Sequence, residues 1–488
     1  MSNNQDLEGW EVVIGLEVHC QILSNAKLFS GANATFGAEP NTQVSFIDAG
    51  YPGVLPVINS ECIKQAVKTG LALGGKINQL SYFDRKHYFY PDNPLGYQIT
   101  QFYTPIMEDG SLVINLEDGT SKVIGIERLH IEQDAGKLLH DHHSTKSLVD
   151  LNRAGVGLME IVSYPDISSA QEAAAYVSKL RSLVRYIGTC DGNMEEGSLR
   201  CDINISVREQ GEIEKRTRVE IKNVNSIRFI AQAINYESKR QVKLWQEGKG
   251  VEQETRLFDA NKGVTFSLRS KEDATDYRYI RDPDLLPLKI SNSYVNEVKS
   301  LLPELPHQKV ERFINDYGIS KYDAEILTKE KEVADYFEEA IKQNNGEITP
   351  ILLVNWVTSN LFAILNKEGL SIKDSKISAV SLGKLVALLE KEAISSKIAK
   401  EVFEIMWHNP GKSPEEIIKE NSMEQITDES VIEALVDDII NSNQDKVVEI
   451  KSGKEKLLAW MVGQVLKKSK GKANPELVQA ILKKKIYL

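Results

Sequence analysis

The hydrophobic period changes once along this chain, and that change limits the folds open to it. Up to about residue 290, apolar residues recur at every second position in several segments. Beyond it they recur three and four apart. A period of two gives a strand one buried face and one free face, whereas a period of 3.6 gives a helix one apolar stripe. The segments 11–23 (EVVIGLEVHCQIL), 122–134, 199–208 and 217–223 carry the strand pattern. One helix stands among them. Ser169 and Glu172 have the spacing of a capping box, Ala173, Tyr176, Val177, Leu180, Val184 and Ile187 repeat at helical spacing, and Gly188 ends the run.

Pro303 and Pro306 mark the transition to helices. Asn409-Pro410-Gly411 is a second break, after which Ser413-Pro414-Glu415-Glu416 reads as a cap, a proline at the first position and acids in the first turn. Asn474-Pro475-Glu476 repeats that signal. A chain of 488 residues exceeds one ordinary core and suggests about three domains. The expected class is α+β: a mixed or antiparallel-sheet domain over 1–292, a helical domain over 293–408 and a small helical tail over 409–488.

Composition narrows the partners. With 41% hydrophobic and 26% charged residues the chain reads as soluble and globular, and a net charge of -11 argues against a wholesale nucleic-acid coat. Residues 441–488 nevertheless hold 11 Lys and no Arg against 4 acids, a local +7 against -18 elsewhere. Such asymmetry points to a polyanion, with a solvated lysine face as the plainer alternative. Cysteines stand singly at 20, 62, 190 and 201. Neither a zinc motif nor a disulfide framework is indicated, and a reduced, cytosolic setting fits. MSNNQDLEGW has no basic start with an apolar run, so it does not read as a signal peptide. The uncharged run Ile348–Asn366 contains Asn355, Thr358, Ser359 and Asn360, costly in lipid, and is expected to be a buried helix.

The polar faces of the strand-like segments carry the chemistry. In MEEGSLRCDINIS (194–206), Cys201, Ile203 and Ile205 alternate with Arg200, Asp202, Asn204 and Ser206. Glu17 and His19 share a parity, as do His130, Glu132 and Asp134; Glu160 interrupts the apolar LMEIVS, and Glu195 and Glu196 precede Arg200. If these strands are neighbours, the carboxylates repel one another unless a cation neutralises them. Oxygen ligands with a histidine suit Mg²⁺ or Mn²⁺ better than zinc. A solvated strand face is the competing reading of any one such pair. Glycines at 15, 136, 155, 157 and 197 suggest close backbone approach to a ligand, a turn being the plainer reading of any one of them. Phosphate-loop, dinucleotide and Ser-His-Asp signatures are missing; if ATP binds, it does so by a metal-and-carboxylate arrangement rather than a phosphate loop.

Eight ordered segments then carry a family resemblance: GLEVHCQI (15–22), YPGVLPVIN (51–59), FDRKHYFYPDNPLGYQITQ (83–101), HIEQDAGK (130–137), DLNRAGVGLMEIVSYPD (150–166), MEEGSLRCDINIS (194–206), EIKNVNSIR (220–228) and DYRYIRDPDLLPL (276–288). Together with the tail SKGKANPELVQAILKK they resemble the B-subunit family of aspartyl/glutamyl-tRNA amidotransferases over essentially the whole chain. The resemblance implies ATP- and Mg²⁺-dependent phosphorylation of the side-chain carboxylate of Glu-tRNA(Gln) or Asp-tRNA(Asn), followed by amidation. Ammonia would come from the amidase of the family, its A subunit. A small C subunit would belt the two together in a cytoplasmic heterotrimer. A metal-dependent phosphohydrolase or nuclease acting on RNA is the alternative.

Carried over by motif, the implied metal ligands are Glu17, His19, Glu132, Glu160 and Asp202. Ser198, Arg200, Lys86 and Glu196 are the implied catalytic groups, with Glu17, Glu195 and Arg200 toward ATP. Lys86 would sit near the ammonia exit, the plainer reading being a surface partner for Asp84. Two departures stand out. Many members of the family carry four zinc-binding cysteines where this chain has Ser30, Ala32, Ser45 and Asp48. No zinc is expected here, and packing alone would hold the region. A lysine common in the family is replaced by Leu95, which bears on ammonia transfer.

Overall fold

The fold was analysed in a computed structural model that describes residues 7–140, 145–270, 277–344, 348–424, 426, 428–452, 454, 456–469 and 472–487. Residues 1–6 of the N-terminal segment, Asp276 of the eighth segment, and Lys470 and Gly471 of the tail lie outside the described residues. The chain divides into two compact units, Met1–Leu305 and Pro306–Leu488.

The first unit is built on a nine-stranded sheet. In chain order its strands are β1 (Trp10–Gln21), α1 (Ser60–Ala72) intervening, β2 (Lys76–Ile77), β3 (Leu80–Ser81), β4 (Asp84–His87), β5 (Tyr97–Thr100), β6 (Met107–Asn115) and β7 (Ser121–Gln133), of which β3, β4 and β5 belong to smaller sheets. There follow β8 (Lys137–Leu139), β9 (Leu148–Asp150), β10 (Gly157–Ser163), α2 (Ala170–Tyr186), β11 (Leu199–Glu209), β12 (Val219–Val224), α3 (Ile227–Gln246), β13 (Glu254–Asp259), β14 (Val264–Ser270), β15 (Ile280–Arg281), β16 (Leu288–Lys289) and α4 (Asn292–Ser300). The large sheet runs β14-β13-β12-β11-β1-β10-β7-β6-β2. Its neighbours are antiparallel except β12 and β13, which are parallel. A parallel pair needs a crossover, and α3 supplies it.

The alternation read from sequence decides which face is buried. Ile14, Leu16, Val18 and Cys20 of β1 are all 0% exposed, and with Ile203, Ile205, Ile131 and Met159 they form one core with the apolar stripes of α1, α2 and α3. Burial of this kind contributes about 25 cal/mol per Å² of apolar surface. Helix α2 begins as its sequence signals: the Ser169 hydroxyl accepts from the Glu172 N–H at 3.1 Å. The Glu172 carboxylate, however, accepts from the Ser168 N–H and from Lys122, both at 2.8 Å. On the free face of the large sheet lies the small sheet β15-β4-β5. Strand β5 crosses the end of β7, where Gln98 donates to the Gln133 carbonyl at 2.8 Å and Thr100 donates to Glu132 at 3.2 Å.

The second unit is helical. Its elements include α5 (Pro306–Tyr317), α6 (Lys321–Thr328), α7 (Lys331–Gln343), α8 (Pro350–Asn355), α9 (Phe362–Glu368), α10 (Ala379–Glu390), α11 (Ser396–His408), α12 (Pro414–Glu420), α13 (Glu429–Ser442), α14 (Gln444–Lys451), α15 (Lys456–Lys468) and α16 (Pro475–Tyr487). The uncharged run continues from α8 to α9 through a wider helical turn, Trp356–Leu361, and buries Leu353, Val357, Leu361 and Leu365. No helix among the described residues is long and apolar enough to cross a membrane. Ser413 and Glu416 form a reciprocal capping box at α12. Ile417 and Ile418 of that helix pack into the same core as α10 and α11, while a separate core begins at Ile432 and closes on Ile486.

Candidate active site

The register of the central strands turns scattered charges into rows. Arg200 on β11 lies opposite His19 on β1, His19 opposite Glu160 on β10, and Glu160 opposite His130 on β7. One step along, Asp202 lies opposite Glu17. Glu132 follows His130 by two positions and so shares its face. All of these except Arg200 meet on the polar side of the sheet around a cavity of about 470 Å³. Lys86, Phe102, Tyr277 and Tyr279 close over it from the small-sheet side, while Glu220 and Lys222 of β12 flank it beyond β11.

Two clusters form within the cavity. Ligand atoms of His19, Glu132 and Glu160 lie within 4.8 Å of one another, and so do those of Glu17, Asp202 and Glu220. Glu160 is the hinge of the first. Its Oε2 is 3.3 Å from His19 Nε2 and 3.3 Å from His130 Nε2, and Glu132 Oε2 is 3.8 Å from His130 Nε2. Burial would push the Glu160 carboxyl up, but the two imidazoles outweigh it and hold it well below the usual range. Burial likewise works against the His130 imidazolium, and Glu160 and Glu132 together raise it to about 9. Glu17 is pushed up, first by burial and then by Glu160 and Glu220, although Asn204 donates to its Oε1 at 2.8 Å. Oxygen donors with one imidazole suit a hard divalent cation. The first cluster fits one on this structure's own showing: three ligand atoms converge, and the buried His130 Nδ1 beside them has no hydrogen-bond partner.

The sequence-derived residues divide by position. Glu17, His19, Glu132, Glu160, Asp202 and Lys86 all line the cavity. Lys86 does not pair with Asp84. Asp84 is buried and accepts from the N–H groups of Phe102 and Tyr103, while Lys86 Nζ stands 4.9 Å over the Tyr277 ring. Arg200 is in register, but its guanidinium turns to Asp134 at 2.8 Å, leaving its buried Nε unpartnered. Ser198 is buried with its hydroxyl on Asp191 at 3.2 Å. Glu195 and Glu196 sit in the preceding turn, where their N–H groups donate to Asn193. These four residues do not line the cavity. Leu95 is half-buried in the turn between β4 and β5, away from it.

Two expectations are corrected. The close approaches at Gly136 and Gly155 are to the protein itself: a Cβ at Gly136 would lie 3.0 Å from the Asp150 and Asp92 carbonyls, and one at Gly155, where φ is +83°, would meet Asp48 at 2.5 Å. Gly15 and Gly157 likewise face protein atoms, and Gly197 serves a turn at φ +80°. Nor does packing alone hold the region around Ser30, Ala32, Ser45 and Asp48. The Asp48 carboxylate accepts from Lys27 at 3.2 Å, from Ser30 at 3.2 Å and from Ser45 at 2.9 Å, with the Lys27 and Asp48 side chains shielded from water and the two serines half-buried.

Sequence reasoning passed over Glu220, Lys222, Tyr277 and Tyr279. Their signal was present: Glu220 and Lys222 alternate with the buried Val219 and Ile221, and Tyr277 and Tyr279 are two apart.

Residues 12–296 match a family model described as the GatB/GatE catalytic domain, and residues 335–486 match one described as the GatB domain. The B subunit of an aspartyl/glutamyl-tRNA(Asn/Gln) amidotransferase from Rhodopseudomonas palustris is 55% identical over 484 residues, covering 98% of this chain and 97% of the relative. Proteins of the same description from Rhodospirillum rubrum and Methylobacterium nodulans are 54% and 55% identical over 477 and 480 residues, covering 98% of this chain and 97% and 96% of theirs.

Proposed function

The chain belongs to the GatB/GatE family, and on that premise we propose that it acts as the B subunit of a tRNA-dependent amidotransferase. It converts Glu-tRNA(Gln), Asp-tRNA(Asn) or both to the amide, using ATP and ammonia. Two steps are needed because hydroxide is a poor leaving group. The side-chain carboxylate attacks the γ-phosphorus, ADP departs, and an acyl phosphate results. Ammonia then attacks the acyl carbon, phosphate leaves with the bonding pair, and the nitrogen sheds a proton.

The observation that carries this reading is the cavity itself, where His19, Glu132 and Glu160 converge within 4.8 Å and face Lys86 across it. His19, Glu132 and Glu160 would hold Mg²⁺, with Glu17 and Asp202 beside it. A divalent cation there offsets the charge that builds up as one anion attacks another. Burial works against the Lys86 ammonium, but Glu132, Tyr279, Glu160 and Tyr277 together outweigh it and keep the group protonated. Lys86 therefore offers N–H groups to an anionic oxygen. Phe102 stacks on Tyr279 at 4.0 Å, and these rings exclude water from the reacting group. Ser198, Glu195 and Glu196 take no part in the chemistry proposed.

A partner amidase, the A subunit, supplies the ammonia, and a small C subunit completes the heterotrimer in the cytoplasm. The test is ATP turnover by the reconstituted complex. Hydrolysis that rises only with misacylated tRNA, together with amide formation, supports the reading. Hydrolysis of ATP or RNA without aminoacyl-tRNA would favour a phosphohydrolase or nuclease.

A further inference from the structure

Four aromatic rings run in a row from the cavity to the open surface. Tyr277 and Tyr279, just before β15, have ring centroids 6.1 Å apart. Tyr279 stacks on Phe102 at 4.0 Å, and Phe102 meets Tyr103 at 5.0 Å with the two planes nearly perpendicular. Tyr277, Tyr279 and Phe102 line the cavity, whereas Tyr103 lies outside it. Phe102 is 47% and Tyr103 57% exposed. Single exposed rings are ordinary on a protein surface, but these two are held in place. Both of their backbone N–H groups donate to one buried carboxylate oxygen, Asp84 Oδ2, at 2.9 and 3.2 Å. The rings thus keep their direction although about half of each is in water. Nearby, Arg281 pairs with Asp84 across β15 and β4 and carries its guanidinium 3.6 Å over the Tyr82 ring. A guanidinium stacked on a ring keeps its in-plane N–H groups for an anion.

We propose that Phe102 and Tyr103 form the shelf on which the unpaired 3′-terminal base of the misacylated tRNA stacks, with Arg281 toward the phosphate behind it. This rests on the amidotransferase reading given above. The carboxylate that reacts belongs to an amino acid esterified to the ribose of the terminal nucleotide. When that carboxylate reaches His19, Glu132 and Glu160 inside the cavity, only a few bonds separate it from the ribose. The ribose then sits at the mouth, and its base lies on the residues that border the mouth. Unpaired RNA bases are bound chiefly by stacking on aromatic side chains, with Arg beside them for the backbone. A fixed base holds the ester end still through both chemical steps, and such positioning lowers the entropic part of the barrier.

The measurement is binding of tRNA, with and without its terminal adenosine, to the reconstituted complex. Removing that nucleotide should weaken binding to the wild type by about five- to a hundred-fold, the range for one base stacked on an aromatic ring. The double variant Phe102→Leu with Tyr103→Leu should bind intact tRNA as weakly as the wild type binds the shortened one, and shortening should then cost it nothing more. Its KM for misacylated tRNA should rise by the same factor while the KM for ATP holds. The salt dependence of binding should not change, since no phosphate contact is lost. Phe102→Tyr with Tyr103→Phe keeps both rings and should match the wild type. If the leucine variant fails to fold by circular dichroism, Tyr103→Ala alone, at an exposed position, takes its place. Equal losses on shortening in the wild type and in a folded variant would overturn the inference. So would a raised KM for ATP alone, which would assign the rings to the adenine of ATP. A wild-type complex that makes no amide from misacylated tRNA would instead overturn the amidotransferase reading, whatever the rings bind.

Discussion

Lys27 Nζ lies 3.2 Å from Asp48 Oδ2 with the lysine side chain wholly shielded from water, a cross-link between two turns of an otherwise irregular segment. Burial pulls the ammonium below its usual range, partly offset by Asp48. Lys27 also donates to the Leu151 carbonyl at 3.3 Å, and Leu28 N–H to that of Gly155 at 2.9 Å. Residues 24–59 are thereby fastened to the loop that leads into β10 and Glu160.

Removing one member of such a pair leaves the other charged and buried, which costs about 3–5 kcal/mol. Lys27→Met should therefore destabilise the chain by about that amount in urea titrations. The double change Lys27→Met with Asp48→Leu should recover much of it. Equal losses in the single and double variants would show that the ion pair is not what holds this segment.

The Glu132 carboxylate faces the cavity 3.8 Å from His130 and accepts from Thr100 at 3.2 Å. Glu132→Gln keeps the shape and removes one charged ligand. Loss of one strong electrostatic stabiliser costs about 10²–10³ in rate, so amidation by the complex should fall by about that factor with the melting temperature held. Wild-type turnover at ordinary Mg²⁺ would mean that this strand face is only structural.

Parity made half of this site visible. Glu17, His19 and Asp202 could be assigned to one face because a strand's period is two, whatever its neighbours are. What parity could not supply was strand order. That Glu160 stands between two histidines depends on β10 pairing with both β1 and β7. The pairing with β1 brings His19 to Glu160 across a long stretch of chain and is set by the whole core. Lys222 was hidden for the same reason, since its meaning comes from lying one strand beyond Asp202. Ser198 and Arg200 show the converse limit. Their backbone positions were right for a site beside His19, but Asp191 and Asp134 capture their polar atoms, and local spacing cannot disclose such partners.

Burial pushes the Cys62 thiol up to about 12. Below the ordinary thiol pKa of about 8.5 both folded and unfolded chains keep this proton. Above it the unfolded chain releases the proton while the folded chain retains it, so the unfolded state binds fewer protons and stability falls with rising pH. The contribution is complete below about 8.5 and is lost progressively up to about 12. Unfolding free energies at pH 8 and pH 10 should therefore differ more for the wild type than for Cys62→Ala. Identical differences would mean that another group dominates the alkaline limb.

The basic tail needs a finer test than truncation. A cut at residue 411 would remove Ile417 and Ile418 from the core they share with α11, and so would damage more than an RNA-binding surface. Several tail lysines are already engaged: Lys485 contacts Asp437 at 2.7 Å, Lys468 pairs with Asp438, and Lys472 donates to the Ser422 carbonyl at 2.5 Å. Lys467, Lys483 and Lys484 remain exposed. Helix α16 buries Val478, Ile481, Leu482 and Ile486 on its other side, so Lys483 and Lys484 face water without strain. Lysine contacts to phosphate give affinity without reading sequence. Changing Lys467, Lys483 and Lys484 together to alanine should raise the KM for tRNA while kcat holds. The slope of log affinity against log salt should flatten by about 0.7–0.9 for each phosphate no longer neutralised. An unchanged KM and slope would assign these lysines to a solvated surface, whereas a collapsed kcat at constant KM would mean that they position the acceptor end of the tRNA.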